Sequence, residues 1–175
     1  MTARAWLVVA LAAASAGVAQ GFGRFTLGVV LPAIRSDLGL SNTIAGSLAT
    51  ANVAAYLVGT LAVAMASSRI RLITIMKAGL LIAVGGQVLS AVAPNAPVLA
   101  VGMFCSGFGG AWVWIPTPVV ASSVFPPEKR GTAIGFLSSG MALSIVFTSQ
   151  LAGWVRRIWG DAGSVSYTHL RAHET

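Results

Sequence analysis

Five apolar stretches, each long enough to cross a bilayer, fill most of this sequence. They cover about residues 5–34, 43–66, 72–93, 98–125 and 132–155. A spanning helix needs about 20 predominantly apolar residues. Within hydrocarbon, only helices and closed barrels satisfy their own backbone polar groups. The links are short and rich in helix breakers: Ser36 to Asn42, Ser67 to Arg71, Pro94 to Pro97 and Pro126 to Gly131. Ser41 or Asn42 suits the cap of the second helix. The expected fold class is an all-α membrane protein with five transmembrane helices.

Charged residues make up 9% of the 175-residue chain. Soluble domains carry about 25%, so a soluble fold would have too little polar surface to face water. The net charge of +7 does not point to nucleic acid, because the cations sit at the ends of apolar runs instead of forming one patch. Arg4, Arg69, Arg71, Lys77, Lys129 and Arg130 flank one side, and Arg35, Arg156 and Arg157 the other. By the positive-inside rule the N-terminus is cytoplasmic. Lys77 lies near the end of its span and is expected to snorkel to the headgroups. Cys105 is the only cysteine, so no internal disulfide or thiolate metal site forms. His169 and His173 have helical spacing but no third ligand nearby, and no metal is expected. The chain has no nucleophile triad and no phosphate loop, so neither an enzyme nor a cofactor is expected.

Arg24 is the costly residue. Gly21-Phe22-Gly23-Arg24-Phe25 puts a guanidinium inside the first apolar run, where a central arginine costs roughly 2.5–3.5 kcal/mol. Such a residue faces a bundle interior or a wet cavity. Either it attracts an anionic substrate group or a carboxylate from elsewhere, or it bonds helix carbonyls or snorkels outward. Gln20, Asn52 and Gln87 are further candidates for substrate binding or coupling, with interhelical hydrogen bonding as the alternative for Asn52 and Gln87. Trp112 is either a cavity wall or lipid-facing bulk. None of the four acids, Asp37, Glu128, Asp161 and Glu174, falls within a span. Asp37 is expected to fix the first outer loop.

Small residues recur at helical spacing. Ala13, Gly17 and Gly21 form one stripe, and Gly102, Ser106 and Gly110 another. Both suit close helix packing. Pro116 and Pro118 follow the second stripe and free backbone carbonyls, which are tolerated where they line protein or a cavity.

The two stripes belong to a repeat. Gly21-Phe22-Gly23 and Pro32 return as Gly107-Phe108-Gly109 and Pro118, an offset of 86 residues. Thr43 and Gly46 match Thr132 and Gly135 at an offset of 89. Helices one to three then repeat as four to six, and an odd number of spans per unit inverts the second copy. This is the pattern of a six-helix transporter half with inverted 3+3 repeats. The sixth helix would start near Ile158 or Trp159, where apolar character instead stops. Residues 160–175 are expected to be a disordered or non-native tail, and 1–159 a truncated N-terminal transporter half.

On these residues the chain resembles the major facilitator superfamily, over roughly Ala5 to Trp159. Gly21 to Phe25 with Leu31-Pro32 resembles a poorly characterised bacterial branch. Gly107, Gly109 and Pro116, then Pro127-Glu128-Lys129-Arg130-Gly131 and Gly135, resemble the usual fourth-helix, loop and fifth-helix pattern. There are departures. The loop between helices two and three has Gly59, Arg69 and Arg71 but no acid. Val101 and Met103 stand where many proton-coupled members have an arginine. Gly140-Met141 replaces the Gly-Pro of drug antiporters. The resemblance implies a fragment of a secondary transporter in the bacterial inner membrane, moving a small molecule by alternating access. Its partners would be the lipid bilayer, that substrate and the missing C-terminal half. The alternative is a non-transporting membrane scaffold or assembly subunit.

Overall fold

The structure is a computed structural model that describes the backbone of residues 3–25, 35 and 39–171. Within these, the side chains of residues 3, 24, 25, 155, 156 and 158–171 lie outside the described set. The described residues form helices and short turns, with no strand among them. Helix α1 spans Ala3–Ala16 and continues as a π-helix over Gly17–Phe25. There follow α2 (Asn42–Ala66), α3 (Leu72–Ala91), α4 (Ala96–Trp114), α5 (Thr117–Ser123) and α6 (Arg130–Arg171).

Five segments are long and apolar enough to cross a membrane: Arg4–Gly23, Asn42–Ala66, Leu72–Ala91, Ala96–Ser123 and Pro127–Trp154. They correspond to the five runs read from the sequence. The first expected span continued to Ile34, but residues 26–34 lie outside the described residues, as does Asp37. The backbone is helical through Arg171, where the sequence reading places a disordered or foreign tail from Gly160.

The helix ends follow local chemistry. The Ser41 side chain accepts a hydrogen bond from the Ile44 amide at 3.2 Å and caps α2. Asn42, the other candidate cap, instead accepts from the Arg35 guanidinium. Asn95 caps α4, accepting from the Val98 amide at 3.1 Å. The fourth span, expected as one helix, breaks at Ile115–Pro116. Pro116 and Pro118 have no amide hydrogen, so the carbonyls four residues earlier lose their ladder partners. Val113 keeps a partner for its carbonyl, the Thr117 hydroxyl at 2.5 Å.

Helix α4 is the centre of the bundle. Half of the fourth span is buried, against 17% of the fifth. Helix α4 packs against both α2 and α3, while α1 with its π-helical extension packs on α6. Under the repeat, spans one and two correspond to four and five, so the pairing of span four with two matches that of one with five. Lipid offers no hydrophobic push between helices, so close packing and hydrogen bonds must hold them. Side chains at these contacts are small or shape-matched. A Cβ on Gly102 would lie 2.8 Å from the Gly86 carbonyl oxygen and the Ser90 amide nitrogen. Val9, Ala12, Ala13, Ala121, Phe125, Ala133 and Leu137 form a buried apolar cluster joining α1, α5 and α6. Trp6 stands edge-on to Phe125 and Phe136, at 5.4 and 5.5 Å between ring centroids.

Two adjacent glycines test this packing with opposite signs. A Cβ on Gly86 would meet the Ser106 amide nitrogen at 2.5 Å and the Gly102 oxygen at 2.6 Å, whereas one on Gly85 meets nothing within 4 Å. Gly86→Ala should destabilise by about 1–3 kcal/mol through overpacking. Gly85→Ala should leave stability unchanged or raise it by up to about 1 kcal/mol through helix propensity. Reversible unfolding in detergent measures both.

Candidate functional site

The π-helix Gly17–Phe25 contains Gly17, Gly21 and Gly23, and carries Gln20 and Arg24. π-Helices are rare and mostly occur as single-turn bulges, frequently at functional sites. Here side chains from three other helices reach the backbone of this stretch. Gln87 Nε2, on α3, donates to the Val18 carbonyl at 3.1 Å. Ser106 Oγ, on α4, donates to the Gly23 carbonyl at 3.3 Å. Ser144 Oγ, on α6, reaches the Gly17 carbonyl at 3.3 Å and donates to Met141 in its own helix at 2.9 Å.

The glycines make these approaches possible. A Cβ on Gly17 would lie 3.0 Å from the Ser144 Cβ, and one on Gly21 would collide with the Ser144 hydroxyl. A Cβ on Gly23 would lie 2.6 Å from Ser106 Oγ and 2.9 Å from Gln87 Nε2. The second small stripe turns from α3 to the π-helix. Gly102 meets α3, Ser106 meets the π-helix, and Gly110 faces Ala19, Gln20 and Tyr56. The approach at Gly110 is looser, with 3.6 Å from its built Cβ to the Ala19 oxygen.

The polar candidates divide by what they bond. Asn52 is 2% exposed and donates from Nδ2 to the Met103 carbonyl at 2.7 Å, tying α2 to α4. Gln87 is engaged on Val18 as above. Gln20 is 4% exposed, and no hydrogen bond joins its side chain to another described residue. Its Oε1 and the Tyr56 ring each lie 4.0 Å from a Cβ built on Gly110. Gln20, Tyr56 and Gly110 therefore converge on one spot between the π-helix, α2 and α4. Trp112 is half-buried, pressed against Gly79, with its ring 5.3 Å from that of Phe108. Its indole Nε1 is enclosed without a hydrogen-bond partner. The Arg24 backbone belongs to the π-helix, while its side chain lies outside the described residues.

Two cavities open elsewhere, among α1, α3 and α5. An apolar one of about 240 Å³ is bordered by Leu11, Ala12, Met76, Lys77 and Leu80. A more polar one of about 410 Å³ is bordered by Arg71, Thr74, Lys77 and Ser123. Neither includes Gln20, Asn52, Gln87 or Trp112. No group of three or more metal-ligating side chains occurs among the described residues.

Sequence reasoning did not single out Tyr56, Ser144 or the π-helix itself. Ser144 had a visible signal as a hydroxyl in the middle of an apolar span. Its partner helix was not visible, because hydropathy does not encode which helices meet.

The Major Facilitator Superfamily profile matches residues 13–166 of the chain. The chain is 28% identical over 134 residues to the uncharacterized transporter YgaY of Escherichia coli, in strains K12 and O157:H7 alike. That alignment takes in 75% of the chain and 33% of YgaY. It is also 37% identical over 76 residues to the MFS-type transporter opaD of Aspergillus ustus, 43% of the chain and 13% of opaD. The chain thus spans about a third of YgaY and a smaller part of opaD.

Removing the donors to the π-helix tests its support. Gln87→Leu, Ser106→Ala and Ser144→Ala should each cost roughly 0.6 kcal/mol, the average for interhelical hydrogen bonds in membranes. Hydrogen exchange should quicken at the amides of residues 17–25 before those of α2. Unchanged exchange in the triple variant would contradict the assignment.

Proposed function

The chain belongs to the Major Facilitator Superfamily, and from that premise we propose that it is part of a secondary transporter that moves a small molecule by alternating access. The match to the family over residues 13–166 carries this reading, and the transporter names of its relatives favour it over a non-transporting scaffold. The protein is a multi-pass membrane protein. Its placement in the inner membrane with a cytoplasmic N-terminus is part of the proposal and rests on the distribution of arginine and lysine. Its chemistry is that of binding and release, and no step asks for a cofactor.

In such transporters the substrate site lies near the membrane midplane. The convergence of Gln20, Tyr56 and Gly110 supports a site there. A buried amide with no hydrogen-bond partner among the described residues is costly unless something else bonds it, and a polar substrate would do so. Arg24 stands four residues beyond Gln20. In this reading it attracts an anionic group on the substrate or pairs with a carboxylate of the other half. Asn52 and Gln87 shape the site by holding its walls together.

The reading also takes the chain as a piece of a longer transporter with a sixth helix and a second six-helix half. Under the 86-residue repeat, the contact of span four with span three corresponds to one between spans one and six. Leu7, 58% exposed on α1, marks a face against which a sixth helix would complete the correspondence.

The test is a screen of uptake and efflux with the complete reading frame in proteoliposomes. At least one small molecule should move against its gradient. For that substrate, Gln20→Leu should slow initial transport by about tenfold, the equivalent of one lost hydrogen bond. Arg24→Ala should do the same or more. Val53→Ala, on an exposed face of α2, should have no effect. Transport by both site variants at the unmodified rate would remove the proposed site.

A further inference from the structure

The polar cavity at the start of α3 is not used by the transport reading. Arg71, Thr74 and Lys77 recur every three residues, so they share one side of the helix start, and all three border the cavity. Ser123, at the end of α5, borders it as well. Arg71 and Lys77 are exposed, and neither forms an ion pair among the described residues. Two positive charges therefore face one cavity of about 410 Å³ without a described carboxylate to compensate them. Glu128 is the described acid nearest in sequence to Ser123, and it does not border the cavity.

The position of the cavity narrows the choice of anion. Leu72 opens a span, so the cavity lies where the apolar helix meets the headgroup layer. Ile73, Lys77 and Val120 border both this cavity and the apolar one beside it. Charge thus gives way to hydrocarbon-like surface within one turn of helix, as it does between a phospholipid's headgroup and its chains. Basic pockets between membrane helices are suited to lipid headgroups, and each lysine or arginine near an anionic membrane surface contributes about 1 kcal/mol.

We propose that the cavity formed by Arg71, Thr74, Lys77 and Ser123 binds the phosphate headgroup of an anionic phospholipid. The two cations hold the phosphate oxygens. Thr74, whose hydroxyl makes no hydrogen bond among the described residues, donates a third bond. A zwitterionic headgroup brings its own cation to the cavity and binds less well. The proposal does not depend on transport, on the substrate or on the identity of the missing half.

The test is native mass spectrometry of the full 175-residue chain in neutral detergent, titrated with phosphatidylglycerol or phosphatidylcholine. Phosphatidylglycerol adducts should dominate at equal concentration. Arg71→Gln and Lys77→Gln should each weaken phosphatidylglycerol retention about fivefold, and together they should abolish the preference. Lys77→Arg should retain it. Arg69→Gln removes an exposed cation outside the cavity and should change nothing. Circular dichroism and the thermal midpoint confirm that each variant is folded. Equal retention of the two lipids would overturn the proposal. So would an Arg69→Gln loss as large as that of Lys77→Gln, which would mean general charge attraction. Displacement of phosphatidylglycerol by millimolar inorganic phosphate alone would overturn it too, since a soluble anion would then be the ligand.

Discussion

Helices inside a bilayer gain nothing from leaving lipid for one another, because both surroundings are equally apolar. Their arrangement must come from close backbone approach and a few hydrogen bonds. In this protein both meet on Gly17–Phe25. Its glycines leave room for Ser144, Ser106 and Gln87, and those side chains hydrogen-bond its carbonyls from three separate helices. The fourth span achieves the same on its other faces, through Gly102 against α3 and Gly107 against Asn52. Spans one and four, the counterparts in the repeat, are therefore the two around which the others gather.

The number of spans could be read directly from the sequence. Apolar length, the Ser41 cap and the prolines at 116 and 118 are local signals, and each is visible in the chain. Partner choice was not. The stripe Gly102, Ser106 and Gly110 looks like one face, yet each step of four residues turns about 40° around a helix. Over two steps the stripe passes from α3 to the π-helix, where its last member also nears Tyr56. The π-helix had no local signature, since glycine-rich apolar sequence fits a regular helix as well. Its form accompanies donors that arrive from residues 69 and 127 positions away in the chain.

The candidate site was legible in residue type and only partly in role. Gln20, Asn52 and Gln87 are all polar groups in apolar spans, and the sequence treats them alike. The structure separates them. Asn52 and Gln87 bond carbonyls of neighbouring helices, while Gln20 is buried without a described side-chain partner. A group in that position has no compensating bond among the described residues, which is the physical reason to look for a ligand beside it. Tyr56 joins it only through the packing of α2 on α4, a relation that spacing along the chain does not contain.

The central claim is that the first span meets the fifth through its glycines. Cysteine cross-linking in native membranes tests it most directly. A Cβ on Gly21 would lie 3.3 Å from the Ser144 Cβ, close to the roughly 3.5–4.5 Å of a disulfide. In a Cys105→Ala background, Gly21→Cys with Ser144→Cys should cross-link rapidly under mild oxidant, and Gly85→Cys with Ser144→Cys should not. Failure of the first pair to cross-link, or equal cross-linking of the second, would contradict this account of the bundle.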